Sequence, residues 1–440
     1  MRRWSRRQFL AAGLAAPAAP WRSRQARRRD RGRARRRDGS DVGWLALGAR
    51  LASFREPKRH FVFEYYPWYG TMPWVHWNEN LRVPPFDIAA SSMPLLGPYD
   101  SADSRIVEQH ARWIAEAGVG AINLSWWGRD DPIDGRVHMI MDVMRAHDIR
   151  VTFHLEPYAN DRALRYHADV LYLLEEYGHK RSWDAFLLLE RADGTVGPVF
   201  KSFRTILPPV HTDCLGTTTP IADFTPDHFW RRETDALRTD LRTEFADPIL
   251  LCDSLDAGRV TAAGFDGLGL YDPFVRPSSW SSLADEFSTR RLLFSFNINV
   301  GFDKYPARNV LDQCFAPLPF EPGPLDWSQP SAPETAEQLG RTRFAESTAG
   351  AIGFQTDPKR FNARQGVFVT YINSFNEWHE GTAFEPARDA DDLGPDELAT
   401  GYHNTVDGRW RLDLLRETLA EVYDGAETAR QGRRILLAPD

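Results

Sequence analysis

Eight short apolar runs recur along this chain, at residues 61–66, 121–126, 151–156, 198–203, 249–253, 267–271, 292–297 and 367–373. Each is nearly continuous in apolar and β-branched side chains, the pattern of a strand buried on both faces. Helical periodicity fills the stretches between them. Ile106, His110, Ile114 and Ala117 share one face that stops at Gly118, a C-terminal helix signal. Val137, Ile140, Met141 and Met144 repeat the theme, Thr225-Pro226 offers a cap and a first-turn proline, and Leu414, Leu415, Leu419 and Val422 form a last face. Strands alternating with amphipathic helices predict an α/β fold with a parallel sheet under helices. Eight such units close into a single (β/α)8 TIM barrel with extended βα loops, a doubly wound open sheet being the alternative. The 440 residues, 42% of them hydrophobic, suffice for one barrel domain over 42–440. The proline-rich stretch 316–333 reads as a rim loop.

Charge is distributed unevenly. The net charge is −7, yet residues 1–40 carry fourteen Arg against two Asp, so the remaining body is strongly acidic. An acidic body disfavours nucleic acid and anionic membranes, which require a basic surface. Only five of the 54 basic residues are lysine, which fits either a high-salt habitat or a GC-rich genome. Ser5-Arg6-Arg7-Gln8-Phe9-Leu10 and the short apolar segment after it have the form of a twin-arginine export signal. Residues 1–41 are therefore expected to be a Tat-type signal and a disordered Arg-rich segment, with a basic tail or a misassigned start as the alternative. Export and a mature protein without an integral membrane segment follow. Cys214, Cys252 and Cys314 lack metal-ligand spacing; at most one disulfide can form, and free buried thiols are the expectation.

Active sites of such barrels gather at the C-terminal strand ends, where each apolar run turns polar. The first run ends in Tyr65-Tyr66-Pro67-Trp68-Tyr69-Gly70, followed by Trp74, His76 and Trp77, and the second in Ser125-Trp126-Trp127-Gly128. Single aromatics at such places are commonly packing residues. Clustered at two successive strand ends, they suit a carbohydrate, whose C–H faces stack on rings while hydroxyls take polar tips. The third run ends at Glu156, an acid that would need a partner if merely buried. The eighth ends in Asn373-Ser374-Phe375-Asn376-Glu377-Trp378-His379-Glu380-Gly381-Thr382. Two nearby glutamates fit glycosidic cleavage, which needs one carboxyl to protonate the leaving oxygen and another to act as base or nucleophile. A solvated turn bearing two surface acids is the plainer alternative.

The segments YYPWYG with its following HW, LGPY at 96–99, LSWWG, FHLEPY, GFDG at 264–267 and SFNEWHEGT with EPA resemble glycoside hydrolase family 99, in order from about residue 61 to 387. The resemblance implies a retaining endo-α-mannosidase or mannanase acting on an oligosaccharide or polysaccharide, without metal or organic cofactor. It implies Glu377 as the base that deprotonates the sugar 2-hydroxyl, giving a 1,2-anhydro sugar, and Glu380 as the acid/base. Glu156, Tyr66, Tyr69, Trp126, Trp127, Tyr271, Asn376 and His379 would bind substrate. The chain departs from the family's Tyr-Asp pair after the fourth strand, where it has Lys201-Ser202-Phe203, from its YGxHPAF pattern at Tyr177-Gly178-His179, and from its glycine-rich stretch at Asp272–Pro277. Substrate identity therefore transfers less firmly than mechanism. Three further readings stay open: a hydrolase of another polysaccharide such as α-glucan, a non-catalytic glycan-binding protein, and a metal-dependent barrel hydrolase using His76, His154 and His379.

Overall fold

The computed structural model describes residues 42–436, apart from 182, 246–247 and 309–311. The segment 1–41, expected to be an export signal and Arg-rich tail, lies outside the described residues.

Each of the eight apolar runs coincides with a strand to within two or three residues at either end: β1 (Phe61–Tyr65), β2 (Ala121–Trp126), β3 (Arg150–Leu155), β4 (Val196–Ser202), β5 (Ile249–Cys252), β6 (Gly267–Gly269), β7 (Leu293–Ser295) and β8 (Thr370–Ile372). A helix follows every strand: α1 (Ser104–Glu116), α2 (Asp134–Ala146), α3 (Arg162–Leu174), α4 (Asp227–Leu241), α5 (Ala257–Ala262), α6 (Trp280–Thr289), α7 (Ala332–Gln355) and α8 (Trp410–Leu436). α4 starts at Asp227 without a side-chain cap, so Thr225 and Pro226 both precede it. The strands pair in parallel in sequence order from β1 to β7, and β8 pairs back onto β1. Just past β7, Ile298 donates its N–H to Tyr371 O at 2.8 Å and accepts from Asn373 N–H at 2.9 Å, closing the ring. The architecture is a (β/α)8 barrel, not an open sheet. A short antiparallel strand, Leu188–Glu190, lies beside β4.

Closure divides each strand's side chains between two cores. Outward residues such as Phe63, Ile122, Leu124 and Phe153 join the helix layer. Inward residues Val62, Ala121, Val199, Leu251, Val369 and Tyr371 fill the barrel itself. Gly267 shows how tightly the wall packs, since a Cβ there would lie 1.9 Å from Leu293 O. Among the described residues, no helix is long and apolar enough to cross a membrane.

The loop between β7 and α7 contains the proline-rich stretch and reaches the C-terminal end of the barrel. Glu321 in this loop is buried and bonds Arg343 at 2.7 Å, with Arg276 at 2.6 Å. Cys314 in the same loop forms a disulfide with Cys214, Cα atoms 5.4 Å apart. The expectation of free thiols thus holds only for Cys252, which is buried. Folding brings together two cysteines 100 residues apart, a proximity that spacing along the chain does not reveal.

Candidate active site

The turn after β8 is shaped by its own hydroxyl and carboxylate groups. Glu377 N–H donates to Ser374 Oγ at 2.7 Å, and His379 N–H donates to Glu377 Oε1 at 3.0 Å. Gly381 has φ +63°, and a Cβ there would lie 2.3 Å from Asp303 O, so the turn needs glycine to approach the β7 loop. Asp303 N–H in turn donates to Glu380 O at 2.8 Å. Past β6, the side-chain amides of Asn297 and Asn373 both donate to Tyr271 O, at 2.6 and 2.8 Å. So held, Tyr271 donates its hydroxyl proton to Glu380 Oε2 at 2.9 Å.

Glu377 is 3% exposed. Burial first, then the charge of Glu380, pushes its carboxyl well above the usual range. Burial also raises Glu380, against the opposing hydrogen bond from Tyr271. Both carboxyls are thus shifted in the direction that favours the protonated form.

Below this turn lies a polar layer that reading the strand ends missed. Glu64 of β1 accepts from Asn123 Nδ2 at 2.8 Å, contacts the Lys201 ammonium through Oε1, and has His154 Nδ1 3.2 Å from Oε2. Burial opposes ionisation of Glu64, but Lys201 and His154 outweigh it and hold the carboxyl down at about 2. Glu156, also buried, accepts from Ser125 Oγ at 2.8 Å, and its Oε1 lies 3.9 Å from His154 Nδ1. Burial raises its pKa, with His154 and Ser125 opposing. The signal for this layer was present: an acid inside Phe63-Glu64-Tyr65 and a lysine inside Phe200-Lys201-Ser202 interrupt otherwise apolar strands.

The expected substrate-binding residues divide into groups. Trp126 requires correction: Asn123 and Ser125 point into the barrel, so strand alternation turns Trp126 outward. It is fully buried in the helix layer, bonds Asp134 Oδ1 at 2.8 Å and packs against Tyr158 and Tyr172. Asn376 uses its amide on Tyr66, accepting from Tyr66 N–H at 2.8 Å and donating to Tyr66 O at 2.9 Å. Buried Tyr69 donates to Asn376 O and accepts from Trp378 N–H, both at 3.1 Å, which makes it a brace for the turn. Glu385, of the EPA segment, serves similarly by accepting from Tyr99 and from Trp378 Nε1.

The others lie among the carboxylates. The Tyr66 ring is 4.7 Å from Trp68, and its hydroxyl is driven upward by burial first and then by Glu64, Glu156 and Glu377. Partly exposed Trp127 donates to Ser125 Oγ at 3.1 Å, beside Glu156. His379 is buried, which lowers it to about 4 and keeps it neutral. Of the three histidines considered for a metal, His154 belongs to the inner layer. His76 and His379 instead group with Glu79 in an arrangement able to hold an ion.

Comparison with known proteins matches this chain to the Glycosyl hydrolase family 99 model over residues 58–187. Glycoprotein endo-alpha-1,2-mannosidase of Xenopus laevis is 25% identical over 372 residues, covering 77% of this chain and 72% of the relative. The Glycoprotein endo-alpha-1,2-mannosidase-like protein of Danio rerio is 26% identical over 358 residues, covering 73% and 70%. In fold, the chain matches the GH99 endo-alpha-mannosidase from Bacteroides thetaiotaomicron with TM-score 0.57 at 19% identity, covering 83% of this chain and 98% of that one. With the barrel and the paired carboxyls at its C-terminal end, these likenesses identify the chain as a glycoside hydrolase related to family 99.

Proposed function

We propose that the protein is a retaining endo-α-mannosidase that cleaves internal α-mannosidic bonds of an α-1,2-linked mannan or a related glycan. The observation that carries this reading is the pairing of Glu377 with Glu380 in one turn, each carboxyl raised and Glu380 gripped by Tyr271. One proton on the pair is the state that acid and base catalysis requires. In this reading the proton of the pair resides on Glu380 once substrate is bound: Glu377 takes the proton of the sugar 2-hydroxyl as O2 attacks C1, and Glu380 gives its proton to the departing glycosidic oxygen. Water then opens the 1,2-anhydro sugar at C1, losing its proton to Glu380 while Glu377 returns a proton to O2. Two displacements at C1 retain the anomeric configuration. An α-mannoside suits this route because its axial O2 stands anti to the axial leaving group.

Glu156, Tyr66, Trp127 and Tyr271 are proposed to contact the glycan, with Tyr69, Asn376 and His379 acting as positioning residues. The test is oligosaccharide release from α-mannan and α-1,2-mannosyl substrates, with product anomers followed by NMR, beside Glu377→Gln and Glu380→Gln. Retained configuration and loss of activity in both variants is the expected result. Inversion, or full activity in either variant, would overturn the mechanism.

Export is proposed on two supports, the twin-arginine motif at Arg6-Arg7 and the Cys214–Cys314 disulfide, a bond that persists in oxidising compartments. An Arg6→Lys/Arg7→Lys chain should remain in the cell; secretion of that variant at the wild-type level would rule out this route.

A further inference from the structure

His379 presents an unresolved problem of solvation. Its side chain is buried, and although the Ala89 backbone lies near the ring, neither ring nitrogen makes a hydrogen bond of normal geometry. Buried polar atoms in this condition carry a desolvation cost that an ion or water would relieve. The groups facing them are chemically specific. Glu79 Oε1 lies 3.9 Å from His379 Nε2, and His76 Nδ1 lies 2.8 Å from the same oxygen. One ligand atom from each of the three residues falls within 4.8 Å of the other two.

The surroundings hold these side chains in place. Trp68 stacks on the His76 ring at 4.7 Å with an interplanar angle of 20°. The Tyr305 hydroxyl lies 3.4 Å from Glu79 Oε2 and itself accepts from Asn80 Nδ2 at 2.6 Å. Backbone in the left-handed region at His76 (φ +64°), Asn80 (φ +52°) and Leu81 (φ +64°) curls the β1 loop toward the turn. His76 and Glu79 are partly open to solvent and provide an entry path.

We propose that His76, Glu79 and His379 form a binding site for a divalent transition-metal ion of the zinc class, joining the β1 loop to the turn that carries Glu377 and Glu380. Two imidazoles and one carboxylate suit zinc, cobalt or nickel, and leave a position for water. The hard ions magnesium and calcium prefer sets of oxygens. Binding replaces the proton shared between His76 Nδ1 and Glu79 Oε1, leaving the His76 proton on Nε2. Tyr305 acts as an outer-shell brace that orients the carboxylate. The ion would sit beside the carboxyl pair rather than take part in bond cleavage, so the site is independent of the glycosidase reading.

The test is calorimetric titration of the untagged, chelator-stripped full chain with Zn2+ and, as a control, Mg2+, together with visible spectra of the Co2+ form. Wild type should bind one Zn2+, ignore Mg2+, show ligand-field bands with Co2+ and unfold at higher temperature with Zn2+ than without. His76→Ala and Glu79→Gln, checked for native circular dichroism, should each weaken Zn2+ binding by at least ~100-fold and abolish the bands. Tyr305→Phe should weaken it by roughly 10-fold, the scale of losing an outer-shell partner. Absence of binding by wild type, or equal binding by the His76→Ala/Glu79→Gln double variant, would overturn the site. None of these readouts involves turnover, so failure here is distinguishable from failure of the proposed hydrolysis.

Discussion

Lys201 of β4 and Glu64 of β1 meet inside the barrel with neither side chain exposed, although their strands are not neighbours. The Lys201 ammonium also lies 4.5 Å from the centre of the Tyr371 ring on β8. The pair therefore spans the barrel interior and neutralises one charge beneath a site containing three further carboxyls, Glu156, Glu377 and Glu380.

Removing only the cation should be severe. Lys201→Met leaves the buried Glu64 carboxylate with only Asn123 and His154 as partners and should cost up to about 3–5 kcal/mol of stability. Lys201→Met/Glu64→Leu should recover much of that loss. Urea denaturation of wild type, single and double variants makes the comparison, and equal stability of the two variants would show that the pair is not coupled.

Acid sensitivity follows from the same carboxyl. Because Glu64 is depressed to about 2 from 4.5, its stabilisation is complete above 4.5 and is lost as pH falls from 4.5 through 2. His60, buried and lowered to about 4, stays neutral in the fold, so its contribution is complete above 6.5 and declines from 6.5 towards 4. Thermal unfolding from pH 7 to 2 should show losses in both windows. His60→Phe should flatten the upper one, while the lower should remain.

At the carboxyl pair, Glu377→Gln and Glu380→Gln should each lower kcat by about 10²–10⁴-fold, the usual scale for acid–base groups. Tyr271→Phe offers a finer test. Its hydroxyl lowers the pKa of Glu380, so its loss should move the alkaline limb of the pH–rate profile upward while the protein remains folded. An unmoved limb would mean that Glu380 does not act as the acid.

The Cys214–Cys314 bond encloses a long loop. Chain entropy alone predicts that Cys214→Ser lowers stability by up to about 4–5 kcal/mol. Wild type in reductant should unfold at the same denaturant concentration as the variant.

Much of this molecule was legible before folding was considered. Strands buried on both faces must be apolar along their length, so all eight stood out, and the polar residues at the end of β8 marked the candidate site. The errors have physical causes. Trp126 closes an apolar run, and run composition does not show which way a strand's last side chain points. Glu64 was passed over, and Lys201 and His154 were read in other roles, because each is a single polar residue within an apolar strand, and only barrel closure reveals that they face one another. Cys214 and Cys314 lie on loops separated by α4, β5, α5, β6, α6 and β7, so no local pattern relates them.

The two hydrogen bonds between Asn376 and the backbone of Tyr66 connect residues 310 positions apart. They join the turn after the last strand to the segment after the first. A growing or truncated chain can thus hold every side chain from residue 61 to 370 and still lack the proposed centre, because the carboxyl pair and its aromatic neighbours meet only when the last strand docks against the first. Hydrolytic activity should accordingly report completion of the ring, appearing late in refolding and vanishing on any opening of the β1–β8 seam, even while the rest of the barrel stays compact.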